Sequence, residues 1–484
     1  MPQGIRRRSL LQGLSGAAGV SLLGGAVAQD APRRLPIPPL LDARAQGGRI
    51  ELVAQPGETE FWPGVASATA GYNGSYLGPT LRVHSGDEMR VRVTNQLQED
   101  TTVHWHGLLV PSAVDGGPHN TIAPGARWEP VVPVRQAATT AWYHAHPHMR
   151  TGPQVYAGLA GMLIVTDAHE QGLRLPSRYG VDDLPLVLQD KAFGRDRRMV
   201  YPSGHMQAMH GVHGNAMLVN GVPQPVAPVP AGLVRLRLLN AGNARLLDIA
   251  VDDNRAFHWI ATEGGLLREP VSLRRLSLAA GQRAEILVDF SDARPAGMVS
   301  LAAQGRSLPV MRFEPQGAAT SAAALPARLA QWESPPAART ARRRRLVLAS
   351  GGMMMGGMGG MGGMGGMGGM GGMGMHTIDG RPFDMRRIDQ RVRLGDAEIW
   401  EVTADGMVMP HPFHIHGVHF EVLSRGGQAP VVEDQGRRDT VIVDETVELL
   451  VRFTQPAGER APFMYHCHIL EHEDMGMMGQ FTVA

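Results

Sequence analysis

LRVHSGDEMRVRVTNQ (residues 81–96) is a short run in which apolar and polar side chains alternate. Leu81, Val83, Met89, Val91 and Val93 all share one parity, and apolar residues at every second position put one face of a strand into a core. The pattern returns in VRLRLLNA (234–241), AEILVDF (284–290), EIWEVTA (398–404) and TVELLVRF (446–453), between turns rich in glycine and proline. No long helical pattern intervenes, and short strands at this spacing predict β-sandwiches. A chain of 484 residues suits three domains at roughly 150 residues each. The expected boundaries fall near 168–182 and 315–342, the second stretch rich in alanine and proline. They leave domains at 45–168, 182–315 and 342–484.

The net charge is +1 and no sustained basic stripe occurs, which argues against nucleic acid as a partner. Arg342 to Arg345 precede the apolar run LVLAS and read as a solvated strand entry. At the N-terminus, Arg6, Arg7 and Arg8 stand before LLQGLSGAAGVSLLGGAVA, which is too short and glycine-rich for a membrane span. Residues 1–28, ending in Ala26-Val27-Ala28, read as an export signal, and Arg7-Arg8-Ser9-Leu10-Leu11 resembles the twin-arginine type. An extracytoplasmic, periplasmic monomer without a membrane span is expected. The chain also holds 27 methionines, 61 glycines and 20 histidines. Thioether and imidazole together suit copper better than magnesium or calcium.

Histidine clusters in four places: His104-Trp105-His106-Gly107, His144-Ala145-His146, His411-Pro412-Phe413-His414-Ile415-His416, and HCHILEHEDMGMM (466–478). A lone His-x-His is weak evidence. On a strand, however, residues i and i+2 point the same way, so each pair presents two imidazoles to one metal centre. Two pairs early and two late predict a centre shared by the first and last domains. Cys467, the only cysteine, would then face away from His466 and His468 and join one metal site to another through the peptide. A blue copper site needs two histidines, a thiolate and a weak axial ligand. His411, Cys467, His472 and Met477 supply that set.

These four motifs, in this order, resemble those of the multicopper oxidase family. So do YNGSYLGPTLRVHSGD (72–87), HWHGLLVPSAVDGGP (104–118), WYHAHPH (142–148), TGPQVYAGLAGMLIV (151–165), LVNGVPQPV (218–226) and RLRLLNAGNARLLDI (235–249). The likeness runs from about residue 45 to the end, apart from a methionine-rich loop and the second linker. It implies three tandem cupredoxin-like Greek-key sandwiches and four copper ions. His411, Cys467, His472 and Met477 would bind type 1 copper, and His104 and His414 type 2. The type 3 pair would take His106, His144 and His468 on one ion, and His146, His416 and His466 on the other. The family chemistry implied is one-electron oxidation of a donor coupled to four-electron reduction of dioxygen to water. Electrons would pass through Cys467 to His466 and His468, and Asp115 and Glu473 match the family's proton-delivering acids. The complete ligand set argues against copper-free relatives that keep the fold for structural or cell-division roles.

For the donor, the sequence offers a clue in residues 351–376. From Met353 to Met375 runs MMMGGMGGMGGMGGMGGMGGMGM, a segment too glycine-rich for helix or strand but well supplied with Cu(I) ligands. The loop resembles that of the bacterial cuprous oxidases of the copper-tolerance (CueO-type) group. Met353, Met354, Met355, Met407 and Met409 are the candidate ligands for substrate Cu(I). One departure is visible: Met407 stands four residues before His411, where that group has an acid, and Asp405 lies two further back. HMQAMHGVHGNAM (205–217) reads either as an auxiliary copper site or as a solvated loop. A laccase oxidising phenols, an Fe(II) oxidase and a copper-storage protein are the alternatives.

Overall fold

The computed structural model describes residues 33–301, 307–320, 324–332, 341–350, 376–405 and 409–484. The export signal, the methionine–glycine repeat and Met407 lie outside them. The described chain is all-β: six sheets form three consecutive cupredoxin-like pairs. In the first, a sheet ordered Leu40–Asp42, Thr80–His84, Ala160–Thr166, Thr139–His144 faces one built on Val65–Tyr72, Arg49–Trp62 and Glu88–Asn95. Ile50, Leu52, Val91 and Val93 from one sheet meet Leu81, Val83, Leu163 and Val165 from the other. Thus LRVHSGDEMRVRVTNQ makes two strands, one in each sheet. In the middle pair Leu236 and Ile286 pack against Ile249, Met298 and Phe313. In the last, Leu346, Trp400 and Leu449 pack against Phe413, Tyr465 and Phe481. Burial of one face per strand is the dominant stabilising term.

The same crossover appears three times. Arg49–Ala54 pairs in parallel with Arg90–Asn95, Asp183–Leu188 with Arg235–Asn240, and Arg342–Ala349 with Glu398–Asp405. Parallel neighbours cannot be joined by a hairpin, so the chain crosses between sheets before returning. Arg342 to Arg345 do begin a strand, where Arg344 bonds Glu398.

One alternating run behaves unlike a half-exposed strand. Arg235 and Arg237, the polar residues of VRLRLLNA, are 1% and 3% exposed. They are covered because Leu239 and Val187, also in the middle pair, pack on Trp142, Met162 and Ile164 of the first. A buried charge requires partners. Arg237 donates to Asp183 at 2.8 and 3.0 Å and to Glu285 at 3.0 Å. Arg235 bonds Glu170 and Glu285, and Thr140 of the first pair donates to Glu285 at 2.7 Å.

Lys191 is the only lysine among 46 basic residues and is fully buried. Its ammonium donates to the Tyr156 carbonyl at 2.8 Å and sits 3.9 Å from the centre of that residue's ring. Burial lowers its pKa to about 7, against the raising influence of Asp190 and Glu471. The unfolded chain keeps this proton up to about pH 10.4. Between these values the unfolded state binds more protons, so Lys191 makes stability rise with pH from about 7 to 10. Below pH 7 both states are charged and the full burial penalty stands. Lys191→Met is expected to flatten that rise, measured as urea midpoints at pH 7 and 9.5. Among the described residues, no helix is long and apolar enough to cross a membrane.

Candidate metal centre

The central strand of the site is His411–Ile415, hydrogen-bonded between Thr440–Val443 and Phe463–Cys467. Its register sets Phe413 opposite Cys467 and His414 opposite His466. Alternation therefore divides the residues between two faces. His411 and Cys467 share one face with His472 from the short helix Leu470–Asp474, and His414 and His466 point to the other. In the first sandwich His104 and His144 are backbone partners at 2.9 and 3.2 Å in an isolated bridge. His146, His416 and His468 lie just past strand ends. The expected strand geometry thus holds for only part of each pair. Release from the ladder lets the second imidazole turn inward.

The described residues contain these buried groups: His411, Cys467 and His472; His104, His106 and His414; His106, His144 and His468; and His146, His416 and His466. A further group combines His104, Asp115 and His416. Rings stack across the sandwiches, His104 on His416 at 3.8 Å and His106 on His414 at 3.7 Å. Met477 is wholly buried, its amide bonded to the His472 carbonyl at 2.9 Å and its carbonyl to the Cys467 amide at 3.1 Å.

Three carboxylates hold these rings. Asp115 is 2.8 Å from Nδ1 of His416 and 3.2 Å from Nδ1 of His104. Glu473 is 3.3 Å from Nδ1 of His146 and 3.1 Å from Nδ1 of His466. Asp439 is 3.2 Å from Nε2 of His106 and 3.6 Å from Nδ1 of His414. His144 turns Nδ1 to the Ala145 carbonyl at 2.9 Å. An imidazole that donates one nitrogen's proton presents a bare lone pair at the other. Nδ1 of His466 is bonded to the Cys467 carbonyl at 3.0 Å and Nδ1 of His416 to Asp115, so their Nε2 atoms, 3.2 Å apart, face each other with bare lone pairs. Nδ1 of His106 faces Nε2 of His144 at 3.4 Å. Nε2 of His104, His414 and His468 has no hydrogen-bond partner among the described residues. Converging lone pairs without a proton between them repel unless a cation fills the gap. The donor set therefore fits a metal.

The group of His411, Cys467 and His472 repeats this logic. His472 donates Nε2–H to the Met209 carbonyl at 3.2 Å, which leaves Nδ1 bare, 3.4 Å from Nδ1 of His411. Cys467 Sγ is 3.2 Å from His411 Nδ1 and 3.8 Å from His472 Nδ1. Burial pushes the thiol pKa well up, so without a cation it would stay protonated. Burial also holds His411 and His414 down to about 4, and His106, His144, His146, His416 and His468 well below ordinary imidazole. Neutral imidazoles are the ligand form. Burial would raise Glu473, but His146 and His466 outweigh it and hold it at about 2.

Asp439 and its partner Arg283 are absent from the sequence reading. In RRDTVIVD (437–444), an acid before a strand looks like ordinary turn chemistry, and nothing local ties it to His106. The run 205–217 adds no residue to the His/Cys/Asp/Glu groups among the described residues, and part of it is buried. Its helix His205–His210 lies over the group of His411, Cys467 and His472, where Ala208 accepts from His376 Nε2 at 2.7 Å and Met209 accepts from His472. The His376 ring stacks on His472 at 4.0 Å and 22°. Glu471 ties this cover down through Val212 N at 3.0 Å, Tyr201 at 2.9 Å and Asn243 at 2.7 Å. Met409 is half-buried against the last core, whereas Met353, Met354, Met355 and Met407 lie outside the described residues. His148 is exposed, its ring edge-on to Phe383 at 5.3 Å.

Models of the multicopper oxidase family match residues 54–170 and 366–484. Among curated proteins, the chain is 40% identical to cell division protein FtsP of Rahnella sp., and 38% to that of Escherichia coli, over 99% of each chain. Among solved structures, it is similar to a laccase-like multicopper oxidase CueO of Ochrobactrum sp., described as active toward lignin model compounds. That match has 39% identity, covers 93% of this chain and 100% of the other, and has a TM-score of 0.83. A laccase of Pediococcus acidilactici is 36% identical, with 94% of each chain covered and a TM-score of 0.82.

Proposed function

Because this chain belongs to the multicopper oxidase family, we propose that it is an exported copper-loaded oxidase that takes electrons from Cu(I) and passes them to dioxygen. The observation that carries this reading is the set of buried, cation-demanding nitrogens, converging in overlapping histidine groups, beside a separate group of two histidines and one thiol. His411, Cys467, His472 and Met477 would hold one copper, and His104 and His414 a second. His106, His144 and His468 would hold a third, and His146, His416 and His466 a fourth. Bound copper supplies one-electron chemistry and the reduction of dioxygen to water.

The chain's own residues do the rest. Cys467 joins the groups covalently, since His466 and His468 are its neighbours in sequence. Asp115 and Glu473 contact ligand rings without a cationic side chain on either carboxylate among the described ion pairs, which supports a proton-delivering role. Among the described residues Asp115 Oδ1 has no hydrogen-bond partner, which leaves it open to a water.

The cover over His472 supports a metal-ion donor. His472 is 0% exposed, capped by Met209 and stacked under His376, so a phenol has no ligand edge to touch. The similarity to an oxidase of lignin model compounds favours a laccase as the second reading. The names of the cell division relatives raise a third, a role in cell division. Copper counting and oxygen uptake separate them. About four copper ions per chain are expected, with saturable uptake on Cu(I), corrected for autoxidation, faster than on a phenol. A copper-free chain from copper-replete cells that binds none on reconstitution would sink the proposal. Turnover with phenols alone would turn it into a laccase.

A further inference from the structure

We propose that Arg283, supplied by the middle sandwich, is a positioning residue of the copper centre that acts through Asp439. This inference rests on the copper reading above. The histidines come from the first and last sandwiches, and nothing in their motifs involves the middle one. Arg283 nevertheless touches all three. Its Nε donates to the Thr140 carbonyl of the first sandwich at 3.1 Å, and Nη1 to the Gly281 carbonyl of the middle one at 3.0 Å. Both terminal nitrogens hold Asp439 of the last, Nη1 on Oδ1 at 2.9 Å and Nη2 on Oδ2 at 2.5 Å. The guanidinium and the carboxylate are wholly buried.

Asp439 passes this constraint to two rings from different sandwiches. Oδ1 contacts Nε2 of His106 at 3.2 Å, and the backbone carbonyl accepts from Nδ1 of His414 at 2.8 Å. Thr440 adds a hydroxyl on Oδ1 at 2.8 Å, and that hydroxyl is 3.2 Å from His414 Nδ1. His106 and His414 belong to the groups assigned to a type 3 and the type 2 copper. Asp439 thus differs from Asp115 and Glu473, because a guanidinium occupies both of its oxygens. It orients rings and keeps its negative charge, and proton delivery falls to the other two.

The surroundings are shaped for this pair. Gly107, at φ +94° directly after His106, lies so close that a Cβ would collide with the Arg283 guanidinium. A second link runs beside the first: the Arg283 amide donates to Glu263 at 3.3 Å, and Glu263 bonds Arg438, the neighbour of Asp439, at 3.3 Å. Gln282 also donates to the Thr440 carbonyl at 3.1 Å. A planar fork meets a carboxylate on two nitrogens and keeps a third for a carbonyl, which a lysine cannot do.

The test uses the full chain with Arg283→Lys and the double variant Arg283→Met/Asp439→Leu, which leaves no unpaired buried charge. Copper is stripped with a chelator while non-blue copper, blue absorption and the unfolding transition are followed. Loss of ring-orienting partners typically costs about 10–100-fold in metal affinity. The double variant is expected to release non-blue copper at a correspondingly lower chelator concentration, with Arg283→Lys intermediate. Blue absorption and cooperative unfolding should persist. Retention of non-blue copper as tightly as in the unaltered chain overturns the proposal. Joint loss of both copper classes and of cooperative unfolding in every variant also overturns it, by assigning the pair to folding. If the unaltered chain takes up no copper, the oxidase reading fails and this inference falls with it.

Discussion

Cys467→Ser is expected to abolish blue absorption and bring oxygen uptake on Cu(I) to the uncatalysed background. The thiol is wholly buried between His411 at 3.2 Å and His472 at 3.8 Å, and it is the only cysteine. A serine hydroxyl in its place is a harder ligand that does not ionise to a soft anion, so the site loses the chemistry that selects copper. The cost of a hydroxyl among apolar neighbours is about 1–3 kcal/mol, too little to unfold most domains of this size. Visible spectra, the unfolding midpoint and an oxygen electrode read the result. A variant that keeps the other copper and folds, yet consumes no oxygen, marks Cys467 as the link between donor and dioxygen. Copper uptake and cellular copper tolerance as good as those of the unaltered chain would instead favour storage by the methionine-rich segment.

Glu473→Gln should lower turnover by about 10²-fold or more, the usual range for a lost proton-transfer group. The amide preserves shape and can still contact His146 and His466, now at 3.3 and 3.1 Å from the carboxylate. It cannot carry a proton. Copper content should therefore stay near that of the unaltered chain while steady-state oxygen uptake falls, with little change in KM for the donor. Asp115→Asn should behave alike, since its carboxylate bridges His104 and His416 and keeps one oxygen without a partner. Normal turnover in both variants would reduce these acids to ring supports. Asp439 variants would differ in kind, losing copper before losing rate.

The ligand groups were legible because their spacing is local. Alternation along the two strands His411–Ile415 and Phe463–Cys467 sets His411 and Cys467 on one face and His414 and His466 on the other, while His416 and His468 lie just past the strand ends. Five alternating runs likewise marked strands that the structure contains. The same reasoning failed for Arg235 and Arg237, whose polar face is buried against the first sandwich. Alternation tells which side chains share a face, not whether solvent or another domain lies beyond it. The run 205–217 was ambiguous for a similar reason: its role depends on two backbone carbonyls that meet His376 and His472 from far along the chain.

By itself, then, the sequence determined the fold class, the division of histidines between two faces and the identity of the thiol, all consequences of residue type and a two-residue period. Tertiary structure alone decided the support of the site. Asp439 meets His106 across 333 positions and Arg283 across 156. Those contacts are set by how three sandwiches dock. Docking is fixed by packed surfaces and buried ion pairs contributed piecemeal by distant segments, and no short pattern records it.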